Sequence, residues 1–250
     1  MRAQFTLTSG ESKRLIAKGV KALPIVKKAL AEHTIILAGG TTNAFLAEEI
    51  LGITIESKST YTVGNITEGK TGVSDELTRI YPFIISKGKP LGPEIHWKDY
   101  LSKLESGDIF IKGGNAVDHT GLAAVAASNL SGGTIGAAAG SLYVRGIELI
   151  VPIGLEKLVP DVREAVEFMA GHRPDEAMGD TIGLIPMLGA TVVTEITALE
   201  ALFPVQVKCI AAGGINGSEG AITLVMDGED SVIKEALKLI YSIKGEPRVK

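Results

Sequence analysis

The chain has 250 residues, 45% of them hydrophobic and only 5% aromatic, with a net charge of −4. A pI near 5.7 argues against a nucleic-acid surface. The single cysteine, Cys209, excludes an intramolecular disulfide and a cysteine-rich zinc site, and the scattered His33, His96, His119 and His172 offer no metal-ligand spacing.

No basic-then-apolar leader opens the sequence, and no apolar run approaches a membrane span. The expectation is a soluble cytoplasmic protein without membrane or nucleic-acid partners. Hydrophobic content is ample for a core filled by Val, Ile, Leu and Ala. The 30 glycines cluster where strands should turn into helices.

Thr8-Ser-Gly-Glu11 fits a capping box, with Thr8 as N-cap. The helix it starts, with Leu15 and Ile16 on its apolar side, should break at Pro24 and resume to about His33. Next comes Thr34-Ile-Ile-Leu-Ala-Gly-Gly-Thr-Thr-Asn43, a short apolar strand stopped by two glycines just before an amphipathic helix. Strand, glycine turn and helix start form an anion site, because the first helical amides lack partners and sit at a positive dipole end. Gly39, Gly40, Thr41, Thr42 and Asn43 are therefore candidate ligand-binding residues. One threonine hydroxyl is able to cap the helix and the other to meet a ligand.

Residues 53–95 read as an insertion or flap, β-rich over Thr54–Val63 and with a short strand at Tyr81–Ile85. From Trp97 an alternation sets in. Helix Trp97–Leu104 precedes strand Asp108–Lys112, Gly113-Gly114 and an Ala-rich helix over Gly121–Asn129. Gly132–Gly136 opens another small-residue segment, including candidate ligand residues Gly133 and Thr134. Strand Ile147–Pro152 and helix Asp161–Ala170 follow. This rhythm predicts an α/β fold: a parallel-sheet, Rossmann-like core over residues 1–175 with helices on both faces. Ligands in such sheets lie outside the carboxyl ends of the strands, where three glycine segments are expected to gather.

Beyond His172 the order becomes strand (Ala190–Ile196), helix (Ala198–Phe203), strand (Val205–Ala211, carrying Cys209), strand (Ala221–Met226) and helix (Asp230–Ile243). That predicts a small α+β subdomain of ferredoxin-like type over residues 176–250. Gly213–Gly220 joins two of its strands as a long loop.

The strand–Gly-Gly-Thr-Thr–helix opening, the Ile111-Lys-Gly-Gly114 loop and the later α+β unit resemble the NagB/RpiA/CoA-transferase-like superfamily. The first loop is similar to the phosphate loop of ribose-5-phosphate isomerase A and DeoR-type sensor domains. The second is similar to the isomerase's Lys-Gly-Gly loop. Val117-Asp-His-Thr-Gly121 and Ile150-Val-Pro-Ile-Gly-Leu-Glu-Lys-Leu-Val-Pro160 resemble LutC-type lactate-utilisation domains. The isomerase's acidic Asp-Gly-Ala-Asp element has no counterpart ahead of Lys112.

The resemblance implies an enzyme acting on a small phosphorylated metabolite, in the manner of a sugar-phosphate isomerase and without a metal or cofactor. Isomerisation needs a carboxylate to move a proton between adjacent carbons and a cation to stabilise the enediolate oxygen. Lys112 is the candidate cation, Asp118 or Glu156 the carboxylate, and Gly113 and Gly114 line the site. Bland alternatives exist for each: Lys112 as a solvated strand end, Asp118 as a cap, Glu156-Lys157 as a surface ion pair. Two rival functions are a non-catalytic ligand-binding or regulatory module and a LutC-like accessory protein of an oxidoreductase system. The Ala- and Gly-rich faces at 121–140 suit close packing against another subunit, so a homo-oligomer is expected.

Overall fold

A computed structural model describes residues 1–249. In chain order the elements are β1 (Arg2–Leu7), α1 (Ser9–Ala22), α2 (Pro24–Glu32), β2 (Thr34–Leu37), α3 (Thr41–Leu51), β3 (Gly64–Thr67), β4 (Lys70–Val73), β5 (Phe83–Ser86) and β6 (Lys89–Pro90). Next come α4 (Trp97–Tyr100), β7 (Ile109–Ile111), β8 (Ala116–Val117), β9 (Ala123–Ala127), α5 (Gly133–Arg145), β10 (Glu148–Pro152) and α6 (Val162–Met169). The chain closes with β11 (Gly183–Pro186), β12 (Thr191–Val193), α7 (Glu195–Leu202), β13 (Gln206–Ala212), β14 (Ile222–Asp227) and α8 (Asp230–Ser242).

The central sheet has strand order β12-β10-β7-β2-β5-β6. Its strands β12, β10, β7 and β2 run parallel, and β5 and β6 extend it antiparallel. Side chains alternate across it. Ile35, Leu37, Ile109, Ile111, Ile150 and Val193 join the core beneath α1, α3 and α7. Ile36, Ala38, Phe110, Leu149 and Val151 face Trp97, Ile135, Ala138 and Leu142 from α4 and α5. Burial on both faces explains why these strands are unbroken apolar runs.

The parallel register aligns the carboxyl ends, with Leu37 beside Ile111, Ile111 beside Ile150, and Pro152 beside Val193. The residues just past these ends therefore meet along one edge.

Several expectations hold. Thr8 and Glu11 make the reciprocal capping box, and Pro24 starts α2. Others are corrected. Gly121–Asn129 is not helical: Ala123–Ala127 is a strand paired antiparallel with β8 and β11, and this pairing overrides alanine's helical preference. Within Thr54–Val63 the chain makes a 3-10 turn at Lys58–Tyr61. There Thr60 and Thr62 hydroxyls donate to Ser57 O at 2.7 Å and Ser59 O at 2.6 Å, a local bond that competes with a strand ladder.

The strand expected at Ala190–Ile196 shortens to β12 and pairs with β10 in the central sheet. Beyond it, β13 and β14 form an antiparallel sheet whose third strand is β1, from the opposite end of the chain. No described helix is long and apolar enough to cross a membrane.

Candidate functional site at the carboxyl edge of the parallel strands

Past β2, Gly39 is buried where a Cβ would stand 3.0 Å from Tyr61 O, and Gly40 N–H donates to that same carbonyl at 2.6 Å. Gly40, not a threonine, is the N-cap of α3, and it supplies no side-chain acceptor. The first intrahelical bond runs from Ala44 N to Gly40 O at 2.9 Å. The amides of Thr41, Thr42 and Asn43 precede it and keep the donor character that a helix start gives. Thr41 is half-buried and Thr42 buried. Asn43 is fully buried, and its Nδ2 donates to Ala38 O at 2.7 Å and Ile111 O at 3.3 Å, tying the ends of β2 and β7 together. Its Oδ1 finds no partner among the described residues.

Lys112 follows β7, and its Nζ donates to Gly113 O at 3.0 Å. Among the described residues it forms no ion pair. Gly114 is buried where a Cβ would meet Ile153 Cδ1 at 2.8 Å, so this loop presses directly on the end of β10. From the turn after β10, Lys157 Nζ reaches back to Gly114 O at 2.8 Å. Burial, then the charge of Lys157, pulls the Lys112 amine down to about 8. Burial, then Lys13, pulls Lys157 down to about 8 as well, against the opposing pull of Glu156 and Glu195. A like charge held close in a dry setting disfavours an amine's protonated form.

Glu156 does not pair with its neighbour Lys157. Its Oε1 lies 2.5 Å from Nζ of Lys13, which comes from α1 and is itself almost wholly buried. Burial would raise the Glu156 carboxyl, but the charge and hydrogen bond of Lys13, with a bond from Ser9, hold it below the ordinary range. Beyond β12, Glu195 has no exposure and accepts from Leu155 N at 2.9 Å; burial pushes its carboxyl up. The loop Gly213–Gly220 ends here too, for a Cβ on Gly220 would stand 2.9 Å from Glu156 Oε2.

Asp118 sits in the turn between β8 and β9. Its Oδ1 accepts from Thr120 N at 2.9 Å, Thr120 Oγ1 at 2.6 Å and Leu122 N at 3.2 Å, and its Oδ2 from Val162 N at 2.9 Å. Burial would raise this carboxyl, but the four bonds hold it below the ordinary range. It ties α6 to the small sheet. Gly133 and Thr134 open α5 next to Gly132, where a Cβ would meet Ile185 of β11 at 2.9 Å. Of the three glycine segments, the first two thus share the edge, and the third packs by the small sheet.

The sequence reading missed Lys13 and Glu195. Lys13 stands four residues after Ser9 and three before Ile16, a charge on a buried helical face, and that anomaly is visible in the sequence. Glu195 is marked only by its place at the end of a parallel strand.

Two cavities lie elsewhere, of about 540 Å³ beside Arg14, Phe45 and Lys58, and about 420 Å³ beside Asp118, Arg163 and Met187. Arg14 is already matched by Glu48, Glu49 and Glu246. At the lysine edge three cations, Lys13, Lys112 and Lys157, stand with two carboxylates, Glu156 and Glu195. No protein-family model matches the chain, and none of the curated proteins matches it significantly.

Proposed function

We propose that this chain binds a small phosphorylated metabolite at the carboxyl edge of its parallel strands and catalyses a sugar-phosphate isomerase-like reaction there. The observation that carries the reading is the lysine pair beyond β7 and β10, with no ion pair to Lys112 among the described residues. A half-buried ammonium without a counter-ion favours an anionic guest.

In this reading the phosphate lies on the amides of Thr41, Thr42 and Asn43, with the threonine hydroxyls beside it. Lys112 faces the oxygen on which enediolate charge develops. Glu156 removes the proton from one carbon and returns it to the next, while the hydroxyl proton passes between the two neighbouring oxygens, so atoms balance without an external reagent. Asp118 is set aside as the carboxylate, since both its oxygens are engaged.

The ion pair of Glu156 with Lys13 favours a second reading, a ligand-binding or regulatory module without turnover, because a carboxylate so held is a weak base. A panel of sugar phosphates separates the two. Interconversion of an aldose and a ketose phosphate supports the isomerase, and thermal stabilisation without turnover supports the module. Neither turnover nor stabilisation by any phosphate removes both.

A further inference from the structure

Three ammonium groups gather at the carboxyl edge, and they are not equivalent. Lys13 is matched by Glu156 at 2.5 Å. Lys157 has two carboxylates, Glu156 and Glu195, acting on its charge. Among the described residues Lys112 has only the carbonyl of the next residue, which engages one of its three donors. Among the described residues Lys112 is the one of the three with no carboxylate acting on its charge, so it is the one most readily held as the neutral amine, whereas Glu156 and Glu195 favour the ammonium of Lys157.

A neutral amine beside a cation is a nucleophile for carbonyl carbon. We infer that Lys112 forms an imine with a carbonyl compound bearing an anionic group, and that Lys157 holds that group. This rests on the anion-binding reading of the same edge and goes beyond it, because Lys112 then acts covalently.

The chemistry balances without an oxidant or reductant. The Nζ lone pair bonds to the carbonyl carbon, the C=O π pair moves to oxygen, and a proton passes from nitrogen to that oxygen to give a carbinolamine. The nitrogen pair then forms C=N as the hydroxyl departs with a second proton, and one water leaves. The fall of the Lys112 amine to about 8 from the ordinary 10.5 supplies the neutral form near pH 8. Lys112 is half-buried, so a small carbonyl compound reaches it while bulk water is partly excluded.

The test uses the full chain at pH 8 with glyoxylate, an aldehyde carrying a carboxylate, and cyanoborohydride to reduce any imine to a stable secondary amine. Peptide mapping then compares Lys112 with Lys238, whose side chain is 72% exposed. The expected result is labelling of Lys112 at least about tenfold faster than Lys238, since a neutral amine is the attacking form. Lys157→Met should slow labelling by glyoxylate more than labelling by neutral glycolaldehyde.

Lys112→Arg keeps the charge and should abolish the fast phase. The wild-type ratio stands even if a variant folds poorly. Equal rates at Lys112 and Lys238, or a fast phase that survives in Lys112→Arg, overturn the inference. Sulfate tests the underlying reading separately. Thermal stabilisation by sulfate without a Lys112 adduct leaves the anion site standing and removes the imine. An adduct that sulfate neither slows nor accompanies with stabilisation removes the anion site.

Discussion

Lys112 and Lys157 hold consecutive carbonyls, Gly113 O at 3.0 Å and Gly114 O at 2.8 Å, one from the end of β7 and the other from the turn after β10. Each amine lies at about 8 in the folded chain, against an ordinary 10.5. The pair titrates as a unit, so the consequence belongs to both.

The unfolded chain binds more protons than the folded one between about pH 8 and 10.5, so these groups make stability rise with pH through that window. Below about pH 8 their full cost is present. Unfolding free energy measured from pH 7 to 10 should therefore climb less in Lys112→Met/Lys157→Met than in the wild type. Anion affinity should move the opposite way and fall as pH rises through 8, since the attractive charge is lost. Parallel stability profiles in the two proteins would contradict this assignment.

Asp118 ties the turn between β8 and β9 to the start of α6. Its carboxylate takes donors from Thr120, Leu122 and Val162, and each bond to a charged acceptor contributes on the order of 1.5–3 kcal/mol. Asp118→Ala should lower unfolding free energy by about 2–4 kcal/mol in a denaturant titration, leaving part of the sum recovered by water. A folded carboxyl below its unfolded value stabilises above the unfolded value. That contribution is lost as pH falls below the ordinary carboxylate range. The variant should accordingly show a shallower acid limb than the wild type.

Asn43 bridges β2 and β7 through two carbonyls. Asn43→Ala leaves both acceptors unmatched by a side chain, at a cost of about 1–3 kcal/mol. Asn43→Asp should be worse, because a buried carboxylate would then confront Ala38 O and Ile111 O. Chemical denaturation of the two variants decides the order, and equal stability would show that Nδ2 does not bridge the strands.

Gly19 sits where α1 crosses α7. A Cβ there would lie 2.4 Å from Ala198 Cβ and 2.6 Å from its Cα, and the latter is backbone that cannot rotate away. Gly19→Ala should destabilise by about 1–3 kcal/mol through overpacking, despite alanine's better helical propensity. A neutral or stabilising result in thermal unfolding would mean that the two helices have room to separate.

The parts of the fold legible in the sequence are those that local chemistry decides. Thr8 and Glu11 mark a helix start through their own hydrogen bonds, and the Gly39-Gly40 break between an apolar strand and a helix follows from backbone freedom. Ala123–Ala127 is different: small residues tolerate either backbone, and β8 and β11 decide it from outside. The candidate site divides the same way. Lys112 at a strand end was readable, and so was the oddity of Lys13 on an apolar face. That Lys13 meets Glu156, 143 positions away, depends on α1 packing across the end of β10. No spacing encodes that.

The central claim is that the edge beyond β2, β7 and β10 holds a phosphate-sized anion. Its most direct measurement is the unfolding free energy with increasing inorganic phosphate at pH 7, for the wild type, Lys112→Met/Lys157→Met and Thr41→Val/Thr42→Val. The account predicts wild-type stabilisation approaching about 2.7 kcal/mol at a hundred times Kd, with at least about tenfold weaker binding in either double variant. A wild type that phosphate does not stabilise, or variants that respond equally, would contradict it.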